Sequence, residues 1–415
     1  MRLAIVNLFY PPDLSPTGHM AASLAEHRAR QSDQVTVIAG TGGYLGGKRG
    51  TSSPRAEGRG TGPRIVRVWT PGLGKESAPR RLGDYLSFLV GATVRLLTMP
   101  AQDVIVVLTS PPFALATAVA HRLIHPGTRI VLWSHDVYPD ALEALGTIRR
   151  GGAASRLLRT IKRWLLRSVD HVVAMDVAML ERVLGGYGRN GTPPGTVIPS
   201  WEPLGLFPHE VVSEPWAGYQ EPDLVGRFVL LHLGNLGYGS SIEPIAEAAA
   251  ALEDEGAVFL FVGGGARSEQ LARAASSRGI GNIVFRGYVE RDRTPSVLAG
   301  ADATLISLAD GWRGIMSPCK LNGSLAMGVP VVYTGPPGTN VDEAIDRYGC
   351  GFSIRQGDVD AIIDAIRRLR KDPRIAEELS RNARNAFEAA YSDERTLPRF
   401  DRVIDGTVGA AERSS

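Results

Sequence analysis

"LLHLGNLGYGSS", residues 230–241, is the stretch on which the reading of the chain turns. An apolar run ends at Gly234, further glycines follow at 237 and 239, and Ser240 and Ser241 precede a helix-like pattern whose first turn is expected near Ser241. A short apolar run bounded by turn residues reads as a buried strand. Glycines between a strand and a helix let a ligand approach the backbone, and free N–H groups with the helix dipole suit a diphosphate. The stretch is neither GxxxxGK[ST] nor GxGxxG with an acid about twenty residues on, so a Walker loop and a plain dinucleotide fold are disfavoured. By itself it is a turn as readily as a phosphate cradle, and the rest of the chain must decide.

Working outward, short β-rich runs alternate with helical patterns almost throughout. "RLAIVNL", "QVTVIAG", "RIVRVWT", "DVIVVLT", "RIVLWSH" and "HVVAM" are separated by helices expected at 18–31, 82–98, 112–124, 154–168 and 176–185. Continuous apolar strands of this kind imply parallel strands covered on both faces. The proline-rich, aperiodic stretch 196–224 reads as a linker. The alternation then restarts with "FVLLHLG", "VFLFVGG", "IVFRG", "ATLISL", "VPVVYTG" and "GFSIR". The expectation is an α/β protein of two Rossmann-like, doubly wound parallel-sheet domains facing across a cleft. The boundaries expected are 1–200 and 201–390, a last helix near 374–390, and a tail, 391–415, that packs back on the first domain. The glycine-rich, basic insertion 40–62 reads as a surface excursion or an acceptor-side lid.

Composition narrows the function. The 415 residues carry a net charge of +3, so no global field argues for nucleic acid. Two cysteines, Cys319 and Cys350, form neither a disulfide framework nor a zinc pattern, which favours a reducing compartment. The apolar start of the chain is too short for a signal peptide, and no run reaches the ~18 apolar residues of a membrane span. A cytoplasmic protein is expected, soluble or peripheral on the inner face of the cell membrane. Two segments bear on the second choice: 79–99, with Arg80 and Arg81 before an apolar helix, and 149–168, rich in arginine and interleaved with Leu157, Leu158, Ile161, Trp164, Leu165 and Leu166. Those six recur at helical spacing, as on a membrane-surface helix or on any helix packed against a sheet.

The second decisive stretch is "GIMSPCKLNGSLAMGVPVVYTG" (314–335), which sets Pro318 and Lys320 at the start of a short helix. It resembles the donor-binding segment of glycosyltransferase family 4, in which "PSKL" opens a helix ending in "AxGxPVV". "YPPDLSPTGHMAASLAEHRA", "VLWSHDVYPDALEALG", "VIPSWEP" and "FLFVGGGARSEQL" extend the likeness over nearly the whole chain. The resemblance implies a GT-B fold, a nucleoside-diphosphate-sugar donor in the second domain, transfer with retention, no metal or other cofactor, and a place among bacterial envelope-polysaccharide enzymes. It carries Gly234, Asn235, Gly237 and Gly239 to the diphosphate and Lys320 to the leaving group. It carries His135 to the transferred sugar, Asp136 to the acceptor site, and Gly18 and His19 to its border. Many members have a basic residue in the first phosphate loop, which "GYGSS" lacks, leaving Arg313, Arg267 or Arg291 to supply it. Many also have two glutamates separated by seven residues, where this chain has Ile315 and Gly323, leaving Asp310 or Glu343 for the donor ribose.

The function expected is transfer of a hexose or N-acetylamino sugar to a carrier-lipid-linked or polysaccharide-precursor acceptor, with an anionic membrane surface as a further partner. Two alternatives stay open: a natural-product enzyme acting on a small, soluble aglycone, and a catalytically silent nucleotide-sugar-binding protein.

Overall fold

A computed structural model of the chain describes residues 1–13, 15–42, 62–73, 78–186, 192–207 and 216–412. Most of the glycine-rich insertion expected at 40–62 lies outside the described residues.

The chain forms two compact units. The first comprises Met1–Ile198, Gly314–Met316 and Leu397–Ser415; the second comprises Pro199–Arg313 and Ser317–Thr396. In the first unit the elements run β1 (Arg2–Val6), α1 (Pro16–Arg30), β2 (Gln34–Gly40), β3 (Arg64–Val68), α2 (Ala78–Leu97), β4 (Val104–Leu108) and α3 (Leu115–Ile124). They continue with β5 (Arg129–Ser134), α4 (Asp140–Ala144), α5 (Ala153–Leu166), β6 (His171–Ala174), α6 (Val177–Leu184) and β7 (Gly195–Val197). In the second come β8 (Phe228–Leu233), α7 (Glu243–Ala251), β9 (Ala257–Val262), α8 (Ser268–Arg278), β10 (Ile283–Arg286), α9 (Thr294–Ala299) and β11 (Ala303–Ser307). After these follow α10 (Lys320–Ala326), β12 (Val331–Thr334), α11 (Asn340–Tyr348), β13 (Gly351–Ile354), α12 (Val359–Lys371) and α13 (Pro373–Ala386), and then α14 (Asp393–Glu412), which from Leu397 onward belongs to the first unit.

Each unit holds one parallel sheet. The first has the order β3-β2-β1-β4-β5-β6-β7 and the second β10-β9-β8-β11-β12-β13. The continuous apolar runs behave as buried parallel strands should: every residue of β4 and of β9 is buried. In both sheets the strand order reverses beside the first strand, between β1 and β4 and between β8 and β11. Open α/β sheets bind ligands at that point, beyond the carboxyl ends of the strands.

Three local expectations are corrected. The stretch expected as a linker from 196 begins inside an edge strand, because Thr196 and Val197 pair with Val173 and Ala174. A three-residue strand leaves too little pattern for period 2 to register. The helix expected at 374–390 is not the last: α13 runs on through a π-helical turn, Phe387–Tyr391, and α14 follows. Finally, α7 starts at Glu243 rather than near Ser241.

Right-handed crossovers place α2, α3, α5 and α6 on one face of the first sheet and α1 on the other, where α14 joins it. Phe400 of α14 packs on Trp133 of β5 with ring centroids 4.5 Å apart, both side chains fully buried. Buried Arg28 of α1 ties the layer together. Its guanidinium donates to Asp33 Oδ2 at 2.7 Å, Asp401 Oδ1 at 3.0 Å and Asp405 Oδ1 at 2.8 Å. Removing one member of a buried charge group strands the others in low dielectric. Arg28→Ala is therefore expected to destabilise the protein by roughly 3 kcal/mol, measured as a shift in the urea midpoint; a change within error would show that α14 is held by Phe400 packing alone.

Candidate functional site

In the second unit the decisive stretch wraps over the carboxyl end of β8 at the strand-order reversal. Gly234 N–H donates to Val262 O at 2.8 Å and Leu236 N–H to Gly264 O at 2.7 Å, so the loops after β8 and β9 interlock. The interlock needs glycine at two positions. Gly263 has φ +136°, and a Cβ there would lie 2.8 Å from Gly234 C; Gly265 has φ +128°, and its Cβ would lie 2.7 Å from Leu236 C. The loop after β11 closes the other side: Ala309 N–H donates to Gly239 O at 2.7 Å and Ser241 N–H to Ser307 Oγ at 3.0 Å. What remains is a run of three peptide N–H groups, those of Gly237, Tyr238 and Gly239, that donate to no acceptor among the described residues.

Lys320, the first residue of α10, reaches this loop, and Nζ donates to Asn235 O at 2.9 Å. The ammonium pairs with no carboxylate among the described residues, and burial lowers its pKa. Its charge reaches His232 of β8, whose pKa is pushed down to about 3, first by burial and then by Lys320. The structure thus brings Gly234, Asn235, Gly237, Gly239 and Lys320 into one constellation: free N–H groups beside an unneutralised cation, the requirement for binding a polyanion.

The substitute cations divide. Arg291 is held by Glu202 at 2.5 Å. Arg313 donates from Nε to Pro337 O at 2.7 Å, in the turn before α11, and Glu343 lies in the first turn of that helix. Arg267 is tied to the glycine loop by its main chain, whose N–H donates to Leu236 O at 3.0 Å; its guanidinium donates to Gln270 Oε1 at 2.9 Å and lies 4.0 Å from Glu243 Oε1, and its buried Nε meets no acceptor among the described residues. Spacing could not single it out, because the link is a main-chain bond across two loops. The glycine triplet 263–265 was likewise missed; its signal is the run "GGG" directly after a buried strand.

In the first unit, Thr109 Oγ1 accepts the N–H groups of both His135 and Asp136 at 3.0 Å, fixing the turn after β5. His135 is 7% exposed, its ring lies 4.9 Å from that of Trp133, and its Nε2 meets no partner. Burial pushes its pKa down to about 3, so the imidazole is neutral. Asp136 is half-buried and does not cap α4, whose N-cap is Pro139. Its main chain pairs with Met316, and its charge, together with burial, raises the pKa of Tyr138. Gly18 sits where α1 meets the loop after β1, and a Cβ there would approach Phe9 C to 3.1 Å. The half-buried His19 follows in the first turn of α1. A small, largely apolar pocket opens at the ends of β4 and β5, bordered by Thr109, Asp136, Tyr138 and Lys162. Burial pushes Lys162 down to about 8.

Two family descriptions match the chain: "Glycosyl transferase 4-like domain" over residues 17–201 and "Glycosyl transferases group 1" over 227–372. WcaI of Escherichia coli K12, assigned as a glycosyl transferase of colanic acid biosynthesis, is 26% identical across 98% of this chain and 100% of its own length. Among solved structures, HepE of Anabaena, crystallised with UDP and glucose, superposes with a TM-score of 0.69 at 14% identity, covering 98% of this chain and 99% of its own. WaaG, a glycosyltransferase involved in lipopolysaccharide biosynthesis, gives a TM-score of 0.68 at 16% identity over 97% and 100%.

Two outcomes test the local account. Gly265→Ala forces the β8 and β9 loops apart and should weaken nucleoside-diphosphate binding by at least about tenfold, read by calorimetry, since strain at such a position is of order 1–3 kcal/mol. The second concerns pH. His135 and His232 stay neutral in the folded protein, so below the ordinary value of 6.5 only the unfolded chain gains their protons. Stability must therefore fall as pH drops from about 6.5 towards 3, by up to about 1.4 kcal/mol per pH unit for each histidine. Urea titrations between pH 7 and 5 should show this slope, flattened in His232→Gln.

Proposed function

The chain belongs to glycosyltransferase family 4, with its GT-B fold, and from that premise we propose that it is a retaining transferase of hexose or N-acetylamino sugars. The donor is a nucleoside-diphosphate sugar. The acceptor is a carrier-lipid-linked precursor of an envelope polysaccharide, met at the inner, anionic membrane surface. The observation that carries the reading is Lys320 at 2.9 Å from Asn235 O, with no carboxylate partner and with three N–H groups in the same loop that meet no acceptor among the described residues.

The chemistry follows from charge. As the bond between the anomeric carbon and the diphosphate breaks, negative charge gathers on the leaving oxygen. Lys320, with the N–H groups of residues 237–239, supplies a fixed counter-charge where that charge develops, which needs no reorganisation during reaction. Arg267 takes the place of the basic residue absent from "GYGSS". The acceptor hydroxyl attacks the same face of the sugar, and its proton passes to the departing phosphate oxygen. No protein base is then required, in keeping with an imidazole at His135 that is neutral and buried. His135 meets the transferred sugar and Asp136 the acceptor, bordered by Gly18 and His19, while Arg313 and Glu343 serve the nucleoside. Charge neutralisation by protein groups alone makes the reaction independent of a metal ion.

The test is hydrolysis of a panel of nucleotide sugars by the purified protein without acceptor, followed by mass spectrometry. One donor should release nucleoside diphosphate, and Lys320→Ala should slow that release by about 10²–10³-fold with the fold retained. Near-wild-type release by the variant would remove Lys320 from the leaving group. No release from any donor, with nucleotide binding intact, would favour the silent-protein reading; absence of nucleotide binding as well would overturn both.

A further inference from the structure

At the amino ends of the strands of the first sheet lies a cavity of about 700 Å³, lined by none of the residues assigned above to donor or acceptor. One wall is Arg129 at the start of β5, Asp170 and His171 at the start of β6, and Thr196 of β7. The other is α14, which contributes Arg399, Arg402 and Gly406 at the three- and four-residue spacing of one helix face. All of these residues belong to the first unit. The six residues of β5 span roughly 20 Å at about 3.3 Å each, so the cavity stands at the opposite end of that strand from His135 and Asp136.

Charge selects the ligand. Asp170 is the one carboxylate among the lining residues, and it is fully engaged: it accepts from Arg122 at 2.7 Å, from Arg129 at 3.0 Å and from Ile130 N–H at 2.8 Å. Asp401 and Asp405 of α14 bond His27 and Arg28 of α1 instead. Arg399 is fixed by its bond to Val197 O at 2.5 Å. Arg402 is exposed and forms no ion pair among the described residues. The buried Nε of Arg129 likewise meets no acceptor there. His171 adds no charge, since burial lowers its pKa, and its Nε2 lies 2.9 Å from Thr196 Oγ1. Three guanidiniums and one carboxylate leave the lining with a net charge of +2. A phosphate monoester carries about −1.5 to −2 at neutral pH, and a guanidinium meets its oxygens two at a time.

Gly406 supplies room. Glycine is a poor helix former, and a Cβ at 406 would meet nothing within 4 Å, so no close packing calls for one. Its effect is to widen the cavity one turn from Arg402. The resulting volume is that of a small-molecule site and more than an inorganic anion fills. We propose that the cavity binds a phosphate monoester of sugar size, its phosphate on Arg402 and Arg129 and its hydroxyls at His171 and Thr196. Because the two walls are strand ends and α14, the bound ligand braces that helix against the sheet, adding to the attachments made by Arg28 and Phe400. Such a ligand stabilises the fold without touching the residues assigned to the donor.

The full chain is titrated by calorimetry with glucose 6-phosphate, glucose 1-phosphate, glucose and inorganic phosphate, each with and without saturating UDP. At least one sugar phosphate should bind saturably, more weakly as salt is raised, and with UDP present as well as without. Glucose should not bind, and inorganic phosphate should bind at least about tenfold more weakly, lacking the hydroxyl contacts. Arg402→Gln should lower affinity for the sugar phosphate by about tenfold or more, as for loss of a charge-assisted bond. Gly406→Met, whose side chain enters the cavity, should do the same. A urea midpoint no lower than that of the wild type reports that each variant folds. Hydrogen exchange in α14 should slow on binding in the wild type and in neither variant. No binding of either sugar phosphate overturns the proposal. So does binding displaced by UDP, or binding unchanged in both variants, which would place the ligand at the donor or acceptor site. Inorganic phosphate binding as tightly overturns the sugar assignment. Failure of the donor reading has a different signature: sugar phosphate bound and no nucleotide-sugar hydrolysis.

Discussion

One hydrogen bond organises the loops at the strand ends of the second unit: Lys320 Nζ to Asn235 O, 2.9 Å. A charge-assisted bond to a peptide carbonyl returns only about 1.5–3 kcal/mol, whereas taking an ammonium out of water costs several. The depressed pKa of Lys320 expresses that imbalance. The bond therefore positions the cation without neutralising it, and a diphosphate is the kind of ligand that completes the balance. For the lysine to reach the loop, the loop must lie flat on its neighbour, which is why side chains are missing at 234, 263 and 265. Glycines and lysine, far apart in sequence, answer a single constraint.

That constraint explains what could be read from the sequence alone and what could not. Buried strands write themselves as apolar runs because both faces of a parallel sheet are covered, and "QVTVIAG" coincides with β2 to the residue. The edge strand β7 leaves no such mark, having three residues and one neighbour. At the site, the glycine pattern and the lysine helix were legible as separate pieces, but their contact is a matter of tertiary geometry. Arg267 was illegible for the same reason, since its attachment to Leu236 O runs through the main chain, which any residue type could supply.

The acceptor half shows a different limit. Helical spacing in 149–168 identified the apolar positions of α5 but treated them as one face. In the structure they turn both ways, Leu165 and Leu166 towards the sheet and Leu157, Ile161 and Trp164 away from it. A pattern of period 3.6 reports that a helix is amphipathic; it does not say how wide the apolar arc is or whether protein covers all of it. On α2 the arc wraps so far round that Leu82, Leu86, Val90, Val94 and Leu97 stand outside while Phe88, Ala92 and Leu96 stand inside.

The two departures from the family pattern also find physical form. At 323, where many members have a glutamate, α10 is packed on all sides: every residue from Leu321 to Ala326 is buried, and a Cβ on Gly323 would come within 3.2 Å of Leu298 Cδ1 on α9. A glutamate there would have to push Leu298 aside, so the substitution is built into the helix packing rather than open to a simple exchange. The neighbouring Asn322 is buried too and donates to Ser200 Oγ at 2.7 Å. Meanwhile Asn340 of α11 donates to Pro318 O at 3.0 Å, fixing the start of α11, and Glu343 with it, to the segment that leads into Lys320. Under the proposed function, Glu343 stands on a helix fixed to the segment that leads into Lys320 and takes the nucleoside contact in place of a glutamate on α10.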